Sequence, residues 1–263
     1  MIDVHCHLEY MKNPIGVIEE ARQKMLALIT SVADIKDAKK ILELQKRYPN
    51  FVFVSLGLHP ENIFNYNQKE IDDYIEFIKN EKNNIVAIGE VGIDYNCIKD
   101  ENKQEIMKNI FMQFIDLSKE LDLPLVIHVR SSNDKNAFDD TLKILVNMDA
   151  KSVALHCFSG NKSSLKYAFE NNYFVSFATI ICRSEKHKRL VELTPIEKML
   201  LETDSPWLDP EINQKTTSPF ELTNRPWKIV ESAKIISKIK NLPLEKILEQ
   251  TTENAKRFFR LDL

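Results

Sequence analysis

Six side chains of metal-ligating type fall at a recurring place in this chain, the far end of a short apolar run. His5 and His7 close the run Ile2–His7, and Glu90 closes Ile85–Glu90. His128 lies in Leu125–Val129, His156 closes Ser152–His156, and Asp204 follows Met199–Thr203. His59 follows a further run, Phe51–Gly57. A lone strand histidine is ordinarily a core or surface residue. Glu90 alone reads as a salt-bridge partner, and Asp204, before Ser205-Pro206, as a turn or cap residue. Ordinary structure does not account for four histidines and two carboxylates recurring at the same end of successive runs. Mixed imidazole and carboxylate ligands suit zinc, manganese or iron, whereas magnesium prefers oxygen. Two such ions about 3.5–4 Å apart convert a water into a hydroxide nucleophile near neutral pH.

Alternation sharpens the set. Successive strand residues face opposite sides, so His5 and His7 share a face and Cys6 points away. The same parity groups His128 with Arg130, separates His156 from Cys157, and puts Glu202 beside Asp204 as an outer-shell candidate. Five of the six histidines belong to these strand ends. His187 lies in Arg183–Arg189, which reads as a solvated helix face, and is given no role.

The elements that must position these residues alternate regularly. Further apolar, β-branched runs are Leu26–Val32 and Phe174–Ala178, making eight candidate strands. Helical periodicity is clearest at Ile35–Tyr48, Lys69–Lys79, Lys103–Leu121, Asp139–Asn147, Ser164–Asn171, Pro226–Ile239 and Leu244–Phe259. Strands separated by helices imply parallel βαβ units, and near-continuous apolar strands imply burial on both faces. Eight units predict a (β/α)8 TIM barrel with its site at the C-terminal ends of the strands; an open doubly wound sheet is the rival. The stretch Ser205–Ser218, with Pro206, Trp207, Pro210 and Thr216-Thr217, becomes a loop on that face. No linker or internal repeat divides residues 1–263, so one barrel domain is expected.

Composition fits this picture. There are 36 basic and 39 acidic residues, a net charge of −3, so attraction to nucleic acid would have to be local. The four cysteines are far apart and form no C-x-x-C pair, as expected of a reducing cytosol. No run approaches the roughly 20 apolar residues of a membrane span, so a cytoplasmic protein without membrane or obligate protein partners is expected. Nucleotide-binding glycine motifs and a G-x-S-x-G elbow are missing from the sequence.

The chain resembles the TatD-type metal-dependent hydrolases of the amidohydrolase-like superfamily. The resemblance rests on IDVHCHL (2–8), GLHP (57–60), IGEVGIDY (88–95), IHVR (127–130), HCFSG (156–160), LLETDSPWL (200–208) and TTENAKRFF (251–259). It implies one metal on His5, His7 and Asp204, another on His128 and His156, and Glu90 bridging them. Glu90 and Asp204 are then the catalytic carboxylates, with His59 and Arg130 contacting the scissile phosphate. The implied cofactors are two divalent ions (zinc, manganese or magnesium), and the implied activity is a deoxyribonuclease working 3′→5′ on DNA or another phosphoester. A D-aminoacyl-tRNA deacylase or other carbonyl hydrolase is the alternative on the same metals, and a metal-stabilised binding barrel is a third reading. Trp207 stands where the family usually has tyrosine and could stack on a base. Thr223-Asn224-Arg225-Pro226 replaces an Arg-Asn-x-Pro motif, which displaces the arginine.

Overall fold

The computed structural model describes residues 1–211 and 223–263. Eight parallel strands are hydrogen-bonded in sequence order: β1 (Ile2–Cys6), β2 (Ala27–Val32), β3 (Val52–Leu56), β4 (Ala87–Asp94), β5 (Leu125–Arg130), β6 (Val153–Leu155), β7 (Phe174–Phe177) and β8 (Met199–Leu201). The sheet curls until β8 meets β1. There His7 N donates to Ser205 O at 2.7 Å, and Asp204 N donates to His5 O at 3.0 Å. The fold is therefore a (β/α)8 barrel, and the open doubly wound sheet is excluded.

Helices surround it: α1 (Pro14–Arg22), α2 (Ala38–Arg47), α3 (Gln68–Asn80), α4 (Glu101–Leu121), α5 (Ala137–Asn147), α6 (Lys162–Glu170), α7 (Glu185–Leu193), α8 (Ile229–Lys240) and α9 (Leu244–Phe259). Alternation splits the core into two apolar sets. One fills the barrel, with Ile2, Val4, Ala27, Ile29, Ala87, Val126, Ala154, Phe174 and Leu200 from seven strands. Phe258 and Phe259 of α9 join that cluster. Residues of the opposite parity, such as Leu28, Val54, Ile127 and Leu201, pack against the helices. Buried Asn254 pins α9 to the start of β8 by donating to Ile196 O at 2.7 Å and Met199 O at 2.8 Å. This gives the asparagine of TTENAKRFF a structural role.

Several expectations are corrected. The expected fourth strand, Ile85–Glu90, instead runs Ala87–Asp94, so Glu90 sits in mid-strand. β-Structure continues because Val91–Asp94 pairs with Ile127–Arg130. α1 has no counterpart among the expected helices. Its apolar stripe is short, but Asn13 caps it, accepting from Gly16 N, and Pro14 occupies the first turn. The helical pattern from Ile35 opens as a 3-10 turn, Ile35–Asp37, before α2. His187 is half-buried on α7, its Nδ1 2.6 Å from the capping Ser184 Oγ, so the helix face it occupies is not simply solvated. The expected loop Ser205–Ser218 can be followed to Glu211; Thr216-Thr217 and Ser218 lie outside the described residues.

Among the described residues, no helix is long and apolar enough to cross a membrane.

Candidate metal centre

Two irregularities in the barrel aim its polar residues. In β1 the register shifts between Asp3 and Cys6, and in β4 it shifts between Ile88 and Val91. Such bulges put one extra residue into a strand and re-aim the side chains that follow. Val4 belongs to the barrel interior, and strict alternation would have sent His5 outward. Past the shift, His5 turns inward and Cys6 packs on the outer side, its Sγ 3.5 Å from Ile29 O. In β4, likewise, Ala87 is interior and so, three residues on, is Glu90.

Glu90 is the hub. Its Oε1 lies 2.8 Å from both His128 Nδ1 and His156 Nε2. Its Oε2 lies 3.5 Å from His5 Nε2 and 3.8 Å from His7 Nε2. Asp204 closes the second group, with Oδ1 3.4 Å from His7 Nε2 and 4.0 Å from His5 Nε2. All six expected ligands therefore converge on one barrel mouth. Asp204 has φ 55°, a left-handed conformation that aspartate tolerates better than most residues.

Outer partners fix which nitrogen each ring presents. His5 Nδ1 lies 3.1 Å from Ser31 Oγ, and His7 Nδ1 lies 3.2 Å from Glu9 Oε1. His128 Nε2 lies 3.0 Å from Asp94 Oδ2. His156 Nδ1 faces Glu202 Oε1 at 3.4 Å, too poorly aligned for a formed hydrogen bond. Glu202 is held there by Cys157 N at 2.7 Å and by Ser176 Oγ. Histidines that ligate metals characteristically use their second nitrogen in this way. Ser31, Glu9 and Asp94 were not among the expected site residues. Asp94 was within reach, since it shares strand parity with Glu90 once β4 is carried to its true end. Glu9 was not, because it sits in a 3-10 turn that no strand pattern covers.

His59 behaves differently. It caps the turn Pro60–Asn65, and its Nδ1 accepts from Glu61 N at 3.1 Å. That bond places the ring proton on Nε2, which points at the centre, 3.6 Å from Glu90 Oε1. Burial and the neighbouring His128 lower its pKa to about 3, so the ring is a neutral donor. Arg130, on the same side of β5 as His128, is exposed and forms no ion pair among the described residues. Half-buried Trp207 sets its ring 5.0 Å from that of His7 and 5.0 Å from that of Tyr10, an aromatic neighbour that strand patterns do not reveal.

The electrostatics suit a cation. Burial alone would deprotonate these imidazoles, but Asp204 and Glu9 raise the pKa of His7 well above its ordinary value. Asp94 and Glu90 raise that of His128, and Glu90 and Glu202 raise that of His156. At His5 burial and the nearby His156 prevail and lower it. Burial also opposes ionisation of Glu90 and Asp204, yet the surrounding imidazoles hold both below the usual carboxylate range. Ionised oxygens among converging nitrogens, such as His5 Nε2 and His7 Nε2 at 3.1 Å, form donor sets that fit divalent ions. His5, His7 and Glu90 make one set, and Glu90, His128 and His156 another.

The floor of the site requires a glycine. A Cβ on Gly57 would lie 2.6 Å from Gly89 C and 2.7 Å from Glu90 N and O. Backbone cannot swing aside as a flexible side chain can. Gly57→Ala should therefore cost about 1–3 kcal/mol of stability and reduce metal content by displacing Glu90. Thermal denaturation and elemental analysis check this; wild-type values for both would show that β4 yields without consequence.

The displaced motif is accounted for too. Buried Asn224 donates through Nδ2 to Thr179 Oγ1 at 2.9 Å and Thr203 O at 3.0 Å. It thereby ties together the chain ends that follow β7 and β8. Asp3 adds a second tie beside it, accepting from Thr203 N at 2.9 Å.

A family profile described as TatD-related DNase matches residues 2–260. Human deoxyribonuclease TATDN3 is 32% identical over 272 residues, covering 98% of this chain and 94% of that protein. A metal-dependent hydrolase of Methanocaldococcus jannaschii is 33% identical over 262 residues, covering 98% and 96%. Among solved structures, the TatD homologue YJJV of Escherichia coli superposes with a TM-score of 0.87 at 21% identity, covering 99% of this chain and 98% of that one.

Proposed function

The chain belongs to the TatD-related DNase family of metal-dependent hydrolases, and on that premise we propose that it is a 3′→5′ deoxyribonuclease using two divalent ions. The observation that carries this reading is the division of one buried carboxylate between two nitrogen clusters. Glu90 Oε1 faces His128 and His156, while Oε2 faces His5 and His7. A carboxylate shared in this way would let Glu90 help to hold two ions, one with each cluster. Asp204 joins the His5 and His7 side. Nitrogen-rich shells favour zinc or manganese over magnesium.

Bound ions of this kind acidify a water and offset charge on phosphoryl oxygens. The protein's own groups supply the rest. Asp204, ionised and beside His7, is placed to take the proton of the attacking water on a carboxylate oxygen. His59 donates Nε2–H to a non-bridging phosphoryl oxygen, and its low pKa keeps it neutral throughout. The Arg130 guanidinium offers a bidentate fork to the same phosphate. Trp207, with Tyr10 beside it, gives a base a stacking surface next to the His7 side of the centre.

The deciding experiment uses single-stranded DNA labelled at either end, with metal-stripped protein and magnesium, manganese or zinc restored in turn. Stepwise loss from the 3′ end, absent in Asp204→Ala, is the expected result. Intact DNA with every ion, from protein that still binds metal, would reject the phosphodiester reading and direct the search to carbonyl substrates, beginning with D-aminoacyl-tRNA.

A further inference from the structure

A linear substrate whose reacting phosphate sits over Glu90 must leave the centre on both sides. The Tyr10–Trp207 pair lies beside His7, at the β1–β8 seam. About three strands around the barrel, an open cavity of about 350 Å3 lies between the loops after β3 and β4. Its walls include Glu61, Phe64, Cys97, Lys99, Asp100 and Lys103.

This cavity adjoins the catalytic groups by short connections. Glu61 N is hydrogen-bonded to His59 Nδ1 at 3.1 Å, and Cys97 N to Asp94 Oδ1 at 2.9 Å. Phe64 is 38% exposed and lines this cavity, so part of its ring is available for contact. Lys103 Nζ lies 5.0 Å from that ring's centroid. Neither Lys99 nor Lys103 forms an ion pair among the described residues. Of the two acids, Asp100 is engaged as the cap of α4, accepting from Lys103 N at 2.9 Å. The Glu61 carboxylate accepts no hydrogen bond among the described residues, and its negative charge offsets that of the lysines.

An exposed aromatic ring with two ammonium groups outside any ion pair among the described residues, one of them over a face of the ring, next to a phosphate-cleaving centre, matches the chemistry of one nucleotide. The ring offers a stacking surface that is indifferent to base identity, and the ammoniums offer charge to the backbone. We propose that this cavity is a second nucleotide subsite, holding the nucleotide across the scissile phosphate from Trp207. The assignment rests on the DNA reading of the centre.

The test compares an octanucleotide with bis(4-nitrophenyl) phosphate, which reaches the centre but is too small to span the mouth. In Phe64→Ala and Lys103→Gln, the ratio of kcat/KM for the octanucleotide to that for the small ester should fall about tenfold. Glu61→Gln should move the ratio the other way. A phosphorothioate oligonucleotide with 2-aminopurine next to the resistant linkage gives a direct readout: its quenching on the metal-loaded wild type should be lost in Phe64→Ala. All three side chains lie at the surface of the cavity, so folding should survive, as thermal denaturation would verify. Unchanged ratios and unchanged quenching would overturn the subsite while leaving the nuclease reading intact. If the wild type neither cleaves nor binds the oligonucleotide, the nuclease reading and the subsite fall together.

Discussion

Glu90→Gln should lower turnover by about a thousandfold or more, the scale expected when several kcal/mol of transition-state charge stabilisation are removed. The substitution keeps the shape of the side chain and removes only its charge. Glu90 is buried and has one oxygen 2.8 Å from each of His128 and His156, with the other directed at His5 and His7. An amide offers one oxygen and one NH2 group, so it can serve only one of the two clusters. The other would face an N–H donor where a ligand is needed. Elemental analysis of the purified variant should show a metal content well below that of the wild type. Turnover close to wild type with full metal content would sink the bridging role.

Asp94→Asn should weaken metal binding by about 10–100-fold, the usual cost of losing an outer-shell partner. The reason is directional. Asp94 Oδ1 accepts from Asn96 N at 2.7 Å and Cys97 N at 2.9 Å, which leaves Oδ2 for His128 Nε2 at 3.0 Å. His128 first, and then these two backbone donors, bring the Asp94 pKa down to about 2 against the opposing effect of burial. In the variant the backbone donors would still demand an oxygen, so the new NH2 would be turned toward His128. It would donate to Nε2 and force the ring proton onto Nδ1, the nitrogen that faces Glu90. A chelator-competition titration measures the loss, and saturating metal should restore most of the turnover. If affinity were unchanged, Asp94 would be a loop anchor and not a positioning group. The two variants thus separate along different axes: Glu90→Gln resists rescue by metal, whereas Asp94→Asn responds to it.

Much of this was legible in the chain because the candidate ligands are written at a topologically fixed place. A β-strand of a barrel is mostly apolar where it packs and gathers most of its polar residues where it emerges. His5, His7, His128, His156 and Asp204 therefore mark the strand ends through residue type and position alone. Local cues carried little beyond that. The short apolar stripe of α1 fell below recognition, although its Asn13-Pro14 start was a usable signal. Ser31 and Glu9 were invisible for another reason: their importance lies entirely in which histidine nitrogen they touch.

The amino-acid sequence thus determined the fold class, the ligand types and the end of the barrel on which they gather. Hydrophobic pattern and residue chemistry are local properties, and they survive being read one strand at a time. Only the tertiary structure decided which way His5 and Glu90 face, because both follow register shifts that alternation cannot foresee. It alone put Asp94 behind His128 and Glu9 behind His7, decided that the outer-shell candidate Glu202 backs His156, and set Phe64 and Lys103 across the mouth from Trp207. Those relations depend on distances between strands and loops far apart in the chain, fixed only when β8 closes on β1.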